Sequence, residues 1–172
     1  MTTLQDILTA SAGNWTLAPD RSTVTFRNKT MWGLATVTGR FAEFRGEGRA
    51  NGGVSGRVVI NAASLRTGIR KRDEHLRSAD FFDVDHHPEI TVEVSDAQPS
   101  GPADARLAAT LTVRGATRPI ELPVSVQVLD DGAVQLAGQC TVDRGEFGVS
   151  GNLLGMVGPA TALSATLVFV RA

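Results

Sequence analysis

The sequence predicts an all-β protein whose antiparallel strands close into a barrel or pack as a sandwich. Three observations favour this fold class. Apolar and polar residues alternate along most of the chain with a period of two, which is typical of strands that bury one face. Seven or more such runs are separated by breaks rich in glycine and proline. No long helical pattern lies between the runs, so sequential strands are expected to be neighbours.

A short helical pattern opens the chain. The segment "TLQDIL" places apolar side chains at Leu4, Ile7 and Leu8, three and four positions apart. This stripe is typical of a small amphipathic helix. We therefore expect a helix or extension over residues 1–13, within a single domain that spans residues 1–172.

The strand patterns follow in order. In "STVTFR", Val24 and Phe26 share a face opposite the threonines. The same alternation returns in "EITVEVSD", "RLAATLTV", "PIELPVSVQV", "AVQLAGQCTV" and "TALSATLVFV". Between two of these runs stands Asp131-Gly132, which is a strong signal for a short hairpin. The inward faces use small apolar residues, and this pattern leaves open whether side chains fill the interior or a cavity remains.

One further helix interrupts the strands and leads into a crossover over residues 69–88. The helical part, to about residue 79, places Ile69 and Leu76 on one side. Arg70 and Glu74 form a pair of opposite charges, four residues apart, on the exposed side. The sequence therefore predicts a charged helix that packs one apolar edge against the strands.

The crossover carries two adjacent phenylalanines, Phe81 and Phe82. A polar connection must bury such rings, since hiding one stabilises the fold by about 2 kcal/mol. Pro88 then holds the residue before it extended, just ahead of the next strand. Packing against the sheet is the more common outcome for such rings, and a lid over one end of an apolar cavity is the alternative.

Charge and composition exclude several classes of protein. The chain of 172 residues carries 17 basic and 18 acidic residues, with no basic arm, which argues against nucleic acid as a partner. Its single cysteine, Cys140, allows no internal disulfide. The sequence contains no run of apolar residues typical of a signal peptide or a membrane-spanning helix. We therefore expect a cytoplasmic protein without stable membrane insertion.

All three histidines lie in one stretch, "HLRSADFFDVDHHPEI", beside four carboxylates. The spacing matches no HxxxH, HExxH or CxxC motif, so neither a metal site nor a catalytic one is indicated strongly. Two alternatives stay open: an enzyme that uses His75 with Asp73 or Asp80, and a metal-dependent protein that uses His86, His87 and Asp85.

Five blocks of the sequence, in order, resemble the YceI-like family of lipocalin-like barrels, which are regarded as polyisoprenoid-binding proteins. The central block, "IRKRDEHLRSADFFDVDHHPEITV", is the most specific. The others are "WTLAPDRSTVTF", "VTGRFAEFRG", "LTVRGATRPIELPV" and "TVDRGEFGV". The resemblance implies an eight-stranded antiparallel barrel whose apolar interior holds a long prenyl or acyl-like chain. Arg21 and the stretch Met31-Trp32-Gly33 depart from the family's usual residues.

From this resemblance we expect a binding or carrier protein for a long-chain isoprenoid or acyl lipid, an isoprenoid quinone included, with no cofactor, no metal and no catalytic residues. A homodimer is left open. The face, size and loop position of the side chains suggest a ligand-binding set. Its expected lining is Phe26, Met31, Trp32, Phe41, Phe44, Phe81, Phe82 and Met156, and its expected polar mouth is Arg70, His75 and Arg77.

Overall fold

The protein is an antiparallel β-barrel with two short α-helices, in a computed structural model that describes residues 4–151 and 157–172. The helices are α1 (Leu4–Ala10) and α2 (Arg70–Arg77). The strands are β1 (Gly13–Leu17), β2 (Thr23–Thr30), β3 (Ala35–Phe41), β4 (Phe44–Ala50), β5 (Val54–Asn61), β6 (Leu65–Arg66), β7 (Glu89–Pro99), β8 (Asp104–Val113), β9 (Ala116–Val128), β10 (Val134–Asp143) and β11 (Ala160–Arg171).

The sheet closes on itself through its last strand. β11 pairs with β10 on one side and, on the other, with β2 along its first half and β1 along its second half. β1 and β2 act as one bent strand, and so do β3 with β4 and β5 with β6, which gives a ring of eight strands. The predicted all-β, eight-stranded antiparallel barrel is therefore confirmed, and the sandwich alternative is excluded.

Alternation of side chains creates the barrel interior. In β8 the buried positions are Ala105, Leu107, Ala109, Leu111 and Val113, and the residues between them are more exposed. Since successive strand residues point to opposite faces, such a pattern lines the inside with apolar groups. Small residues at two of these five positions leave room inside.

The two helices lie close to their predicted positions. In α1, Ile7 is buried and packs with Ala105 and Leu107 of β8. The helix α2 is shorter than its predicted pattern, because Ser78 leaves the helical conformation and donates its backbone N–H to the His75 carbonyl. The residues after α2 form the predicted crossover, which leads into β7.

Two of the hairpins are stabilised by left-handed residues. The loop between β9 and β10 contains Asp131-Gly132, as predicted, and Gly132 has a φ of 87°. Between β8 and β9, Arg114 and Gly115 have φ values of 51° and 76° and form a two-residue loop of the kind that favours hairpins. Arg114 also donates to the Phe81 carbonyl at 2.9 Å, which ties this hairpin to the crossover.

Candidate functional site

The barrel interior holds two adjoining apolar cavities. One, of about 190 Å³, has α1 across its end and is called the α1 chamber. The other, of about 180 Å³, has Phe82 in its wall and is called the Phe82 chamber. Carbon atoms form almost all of both surfaces. The chambers meet at the middle of the barrel, where they share six wall residues: Val58, Val92, Leu122, Gly138, Ala165 and Leu167.

The α1 chamber is covered by the N-terminal helix. Arg171, at the end of β11, donates from Nη1 and Nη2 to the carbonyl oxygens of Ala12 and Ala10, each at 2.8 Å. Its guanidinium lies 4.7 Å from the centroid of the Trp15 ring, and Trp15 Nε1 donates to the Ser11 carbonyl at 2.7 Å. These contacts hold the end of α1 over the chamber.

Three phenylalanines stand together at the Phe82 chamber. The ring centroids of Phe26 and Phe41 are 5.4 Å apart, and Phe82 lies 6.1 and 6.0 Å from them in edge-on geometry. Gly39 faces Phe26 across the β2–β3 pair, and a Cβ built at Gly39 would overlap the Phe26 ring. The glycine therefore makes room for the aromatic wall.

Among the described residues, Arg144 is the one charged group in the wall of the Phe82 chamber. Its guanidinium donates to four backbone carbonyls, those of Val149, Gly151, Val157 and Gly158, at 2.6 to 3.0 Å. Burial lowers the pKa of Arg144 from its ordinary value, since desolvation disfavours the charged form. The side chain joins the two described ends of the segment between a short 3₁₀ helix at Arg144–Phe147 and β11.

Cys140 also lines the Phe82 chamber, on β10. Burial raises the pKa of its thiol, since the thiolate would lose its hydration there. A thiol with a raised pKa is a poor nucleophile. The side chain acts here as a small apolar wall group.

The structure places the predicted ligand-binding residues in several different environments. Phe26, Phe41 and Phe82 lie in the wall of the Phe82 chamber. Phe44 and Phe81 are buried in the adjoining core. Contact with a ligand stays a prediction at all of these positions.

The remaining predicted lining residues lie elsewhere. Met31 and Trp32 are 48% and 67% exposed, outside the walls of both chambers. The physical reason is a tight turn: they stand at the tip of the β2–β3 hairpin, where side chains point away from the barrel. Met156 lies outside the described residues.

The predicted polar mouth lies on α2. Arg70 is exposed and pairs with Glu74 at 3.3 Å. Arg77 donates to the carbonyls of Ala63 and Leu65, at 2.9 and 2.8 Å, and so fixes α2 to the strand β6. His75 is exposed too, and the structure gives α2 no place in the wall of either chamber.

The groups of the predicted enzyme alternative are only partly together. His75 Nε2 lies 2.9 Å from Asp80, and both side chains are exposed to solvent. Asp73 is buried and accepts instead from the backbone N–H of Thr67 at 2.9 Å and from its hydroxyl. Asp73 therefore stabilises the segment before α2. His75 and Asp80 form a pair that lies outside the walls of the two chambers.

The structure does not bring the residues of the predicted metal alternative, His86, His87 and Asp85, together as a metal site either. His86 Nδ1 lies 2.9 Å from Asp83, while the ring of His87 lies against Gly115. The hydrogen bond to Asp83 raises the pKa of His86, and the same bond lowers the pKa of Asp83. Across residues 4–151 and 157–172, the structure contains no group of three or more metal-ligating side chains.

Sequence reasoning missed most of the aliphatic wall. Leu122, Val92 and Leu167 line both chambers, yet the expected ligand lining named only aromatic and methionine residues, although small apolar residues were expected on the inward strand faces. The period of two in their strands is the signal that could have identified them, since each lies on an inward face. In the part of the chain that the structure describes, no helix is long and apolar enough to cross a membrane.

Comparisons with solved structures agree with this architecture. BcnA of Burkholderia cenocepacia superposes with a TM-score of 0.81 at 21% identity, over 88% of this chain and 98% of that one. A polyisoprenoid binding domain from Saccharophagus degradans, implicated in plant cell wall breakdown, gives a TM-score of 0.77 at 16% identity, over 92% and 98% of the two chains. At these identities the likeness shows the fold.

Sequence comparisons identify the family. A UPF0312 protein of Pseudomonas aeruginosa (strain LESB58) is 29% identical over 147 residues, which cover 80% of this chain and 74% of that protein. A match to a UPF0312 protein of Ectopseudomonas mendocina is 38% identical over 63 residues, which cover 37% of this chain and 33% of that protein. The sequence profile of the YceI-like domain matches residues 15–169. The chain therefore belongs to the YceI-like domain family.

Proposed function

We propose that this protein binds and carries a polyisoprenoid or a similar long-chain lipid in its barrel. The observation that carries the proposal is the pair of adjoining chambers, whose surfaces are almost entirely carbon. Burying each methylene of a chain contributes about 0.8 kcal/mol, so a tail gains affinity through the hydrophobic effect without specific polar contacts. The Saccharophagus degradans neighbour, described as a polyisoprenoid binding domain, supports the same class of ligand.

The proposal also covers whether the protein catalyses a reaction and where in the cell it works. We propose binding without chemical turnover, because the two acid–base pairs with short contacts, His75 with Asp80 and His86 with Asp83, lie outside both chamber walls. An isoprenoid quinone is one ligand of the proposed class. A cytoplasmic location and a protein that works without cofactor remain parts of this proposal.

The experiment is native mass spectrometry of the freshly purified protein, followed by organic extraction and identification of any lipid. Protein recovered empty is then mixed with a prenyl quinone. We expect a bound species with the mass of one long-chain lipid. An empty protein that also fails to bind prenyl quinones and long-chain fatty acids contradicts the proposal.

A substitution at the shared wall sharpens the experiment. Ala165 lines both chambers, so Ala165→Phe should fill the middle of the barrel and reduce lipid binding. Thr166, its neighbour on β11, lies outside both chamber walls. The control Thr166→Phe adds the same bulk and should leave lipid binding unchanged.

A further inference from the structure

The β2–β3 hairpin ends in an exposed apolar tip. Residues 31–34, "MWGL", form this hairpin tip, and the exposed fractions of Trp32 and Leu34 are 67% and 85%. Within the described residues, no hydrogen bond or ring contact holds the Trp32 side chain. An exposed tryptophan and an exposed leucine at the end of a hairpin are typical of a surface that binds a protein or a membrane.

The backbone conformation at the hairpin tip is unfavourable for tryptophan, the residue at position 32. Leu34 donates its backbone N–H to the Met31 carbonyl at 3.1 Å, across a turn whose central residues are Trp32 and Gly33. Met31, Trp32 and Gly33 have positive φ values of 51°, 55° and 90°, and the φ and ψ of Trp32, 55° and 34°, are those of the first central residue of a type I′ turn. Asparagine or glycine is preferred at the first central position, because a left-handed conformation strains other residues. A bulky tryptophan there is explained better by a role in binding than by the fold.

A cationic face adjoins the hairpin tip. The strand register places Arg27, Lys29, Arg40 and Arg66 on one outer face of β2, β3 and β6, opposite Phe26 and Phe41. All four are exposed, and in the described parts of the chain none of them forms an ion pair.

The strands that carry this cationic face, β2, β3 and β6, contain no acidic residue. The sequence from residue 21 to residue 42 contains no Asp or Glu, and neither does the neighbouring strand β11. Lys29 and Arg27 stand two and four residues before Met31, or about 7 and 13 Å along a strand. The charge therefore favours an anionic partner at the hairpin tip.

The hairpin tip lies at the Phe82 chamber end of the barrel. Gly158 donates its backbone N–H to the Lys29 carbonyl at 2.9 Å, and its own carbonyl accepts from Arg144 at 2.8 Å. Arg144 lies in the wall of that chamber. A surface that receives the hairpin tip therefore also faces this end of the cavity.

We propose that the hairpin tip docks on the surface of an anionic lipid bilayer, with Trp32 and Leu34 in the interface and Arg27 and Lys29 toward the headgroups. An exposed apolar tip next to unpaired cations is the chemistry by which proteins attach to such surfaces without spanning them. Docking brings the Phe82 chamber end next to lipid. This inference stands on the surface alone and goes beyond the proposed function.

The test measures sedimentation of the full-length protein with vesicles of phosphatidylcholine and phosphatidylglycerol, and with vesicles of phosphatidylcholine alone. We expect partition onto the anionic vesicles that weakens with salt. Trp32 fluorescence should shift to the blue, while the buried Trp15 contributes a constant signal. Lys29→Ser should lower the partition about fivefold, the loss typical of one cation near an anionic surface.

The decisive variant is Trp32→Asn with Leu34→Ser, because asparagine suits the left-handed position and so keeps the turn. It should lose roughly tenfold or more of the partition onto anionic vesicles. Val128, 47% exposed at the opposite end of the barrel, supplies the control: Val128→Ser should bind vesicles like the unchanged protein.

Several outcomes would overturn the docking proposal. Absence of partition onto the anionic vesicles does so, and so does a double variant that partitions undiminished. A concentration-dependent dimer that the same variant abolishes would assign the hairpin tip to self-association instead. Ala165→Phe should leave vesicle partition intact, so failure of docking and failure of lipid binding inside the barrel give different results.

Discussion

Gly39 shows how a single residue shapes the cavity wall. It lies in β3 directly opposite Phe26, and the ring occupies the space that a side chain would need. A methyl group at this position must push the Phe26 ring toward the Phe82 chamber or move the strand. The missing side chain therefore sets both the packing of the three phenylalanines and the space beside them.

We predict that Gly39→Ala lowers the free energy of unfolding by about 1 to 3 kcal/mol, because overpacking displaces the Phe26 ring. Urea denaturation measures the change. Gly53 is the matched control, since a Cβ at Gly53 would meet no atom within 4 Å. Gly53→Ala should change the stability by less than about 0.5 kcal/mol. Equal effects of the two substitutions would refute the account of Gly39.

The left-handed conformation of Trp32 leads to a prediction about stability. Trp32→Asn should raise the free energy of unfolding by about 1 kcal/mol, because asparagine adopts the left-handed conformation with less strain. Trp32→Phe keeps a bulky side chain in the same conformation and should give no such gain. Thermal or urea unfolding distinguishes the variants. A Trp32→Asn protein less stable than the original would show that the ring supports the fold.

The hydrogen bond between His86 and Asp83 gives a prediction for pH. Asp83 raises the pKa of His86, so this part of the stability is fully present below pH 6.5, the ordinary pKa of histidine, and is lost as the pH rises through the raised pKa. His86 lowers the pKa of Asp83, whose contribution is present above pH 3.8 and is lost as the pH falls through the lowered pKa.

The measurement compares urea midpoints of the protein and of His86→Ala at pH 5 and pH 8.5. The substitution should destabilise more at pH 5 than at pH 8.5. Asp83→Asn removes the partner carboxylate and should abolish the pH dependence of that difference. A stability difference that grows with pH would have the opposite sign to the one that these pKa shifts require.

At the scale of elements, Arg144 is a connection between segments. Its guanidinium donates hydrogen bonds to four backbone carbonyls. Two of them belong to Val149 and Gly151, and two belong to Val157 and Gly158. Lysine has a point charge and three donors, so it cannot reproduce the planar fork of the guanidinium. This arginine is part of the wall of the Phe82 chamber and also connects the described parts of the segment that precedes β11.

We expect Arg144→Lys to lower the free energy of unfolding by about 1 to 3 kcal/mol, because partly buried carbonyls lose their donors. Hydrogen exchange should increase at the amides of Val149 and Gly158, whose segments lose their tie. Arg45, an exposed residue paired with Glu89, provides the control. Arg45→Lys should be nearly neutral, and an Arg144→Lys protein that is just as stable would contradict the assigned role.

The elements also show what sequence could and could not predict. Alternation placed Phe26 on an inward strand face, and the crossover with Phe82 followed from its apolar pair in a polar connection. Trp32 was expected inside because of its size, but the turn at Trp32-Gly33 decides its direction. Tryptophan is rare in such turns, so the turn gave no local signal. The role of Arg144 depends on the path of the chain after it, which brings carbonyls 5 to 14 residues away to one guanidinium and leaves no signal in the sequence pattern.

At the scale of the whole molecule, we propose that the two adjoining chambers form one lipid site. Closure of the barrel through β11 produces the enclosed space, α1 covers one end, and the phenylalanine cluster stands at the other. A long chain that crosses the shared wall buries more methylenes than one that fills a single chamber. Affinity should therefore rise with chain length until the tail reaches the far end.

The most direct test measures dissociation constants for prenyl chains of increasing length, with the original protein and with Ala165→Phe. The original protein should bind longer chains more tightly, past the length that fills one chamber. In Ala165→Phe the gain should stop at that length, because the added ring fills the middle of the barrel where the chambers meet. An affinity that is independent of chain length in the original protein, or identical length profiles in the two proteins, would contradict the account.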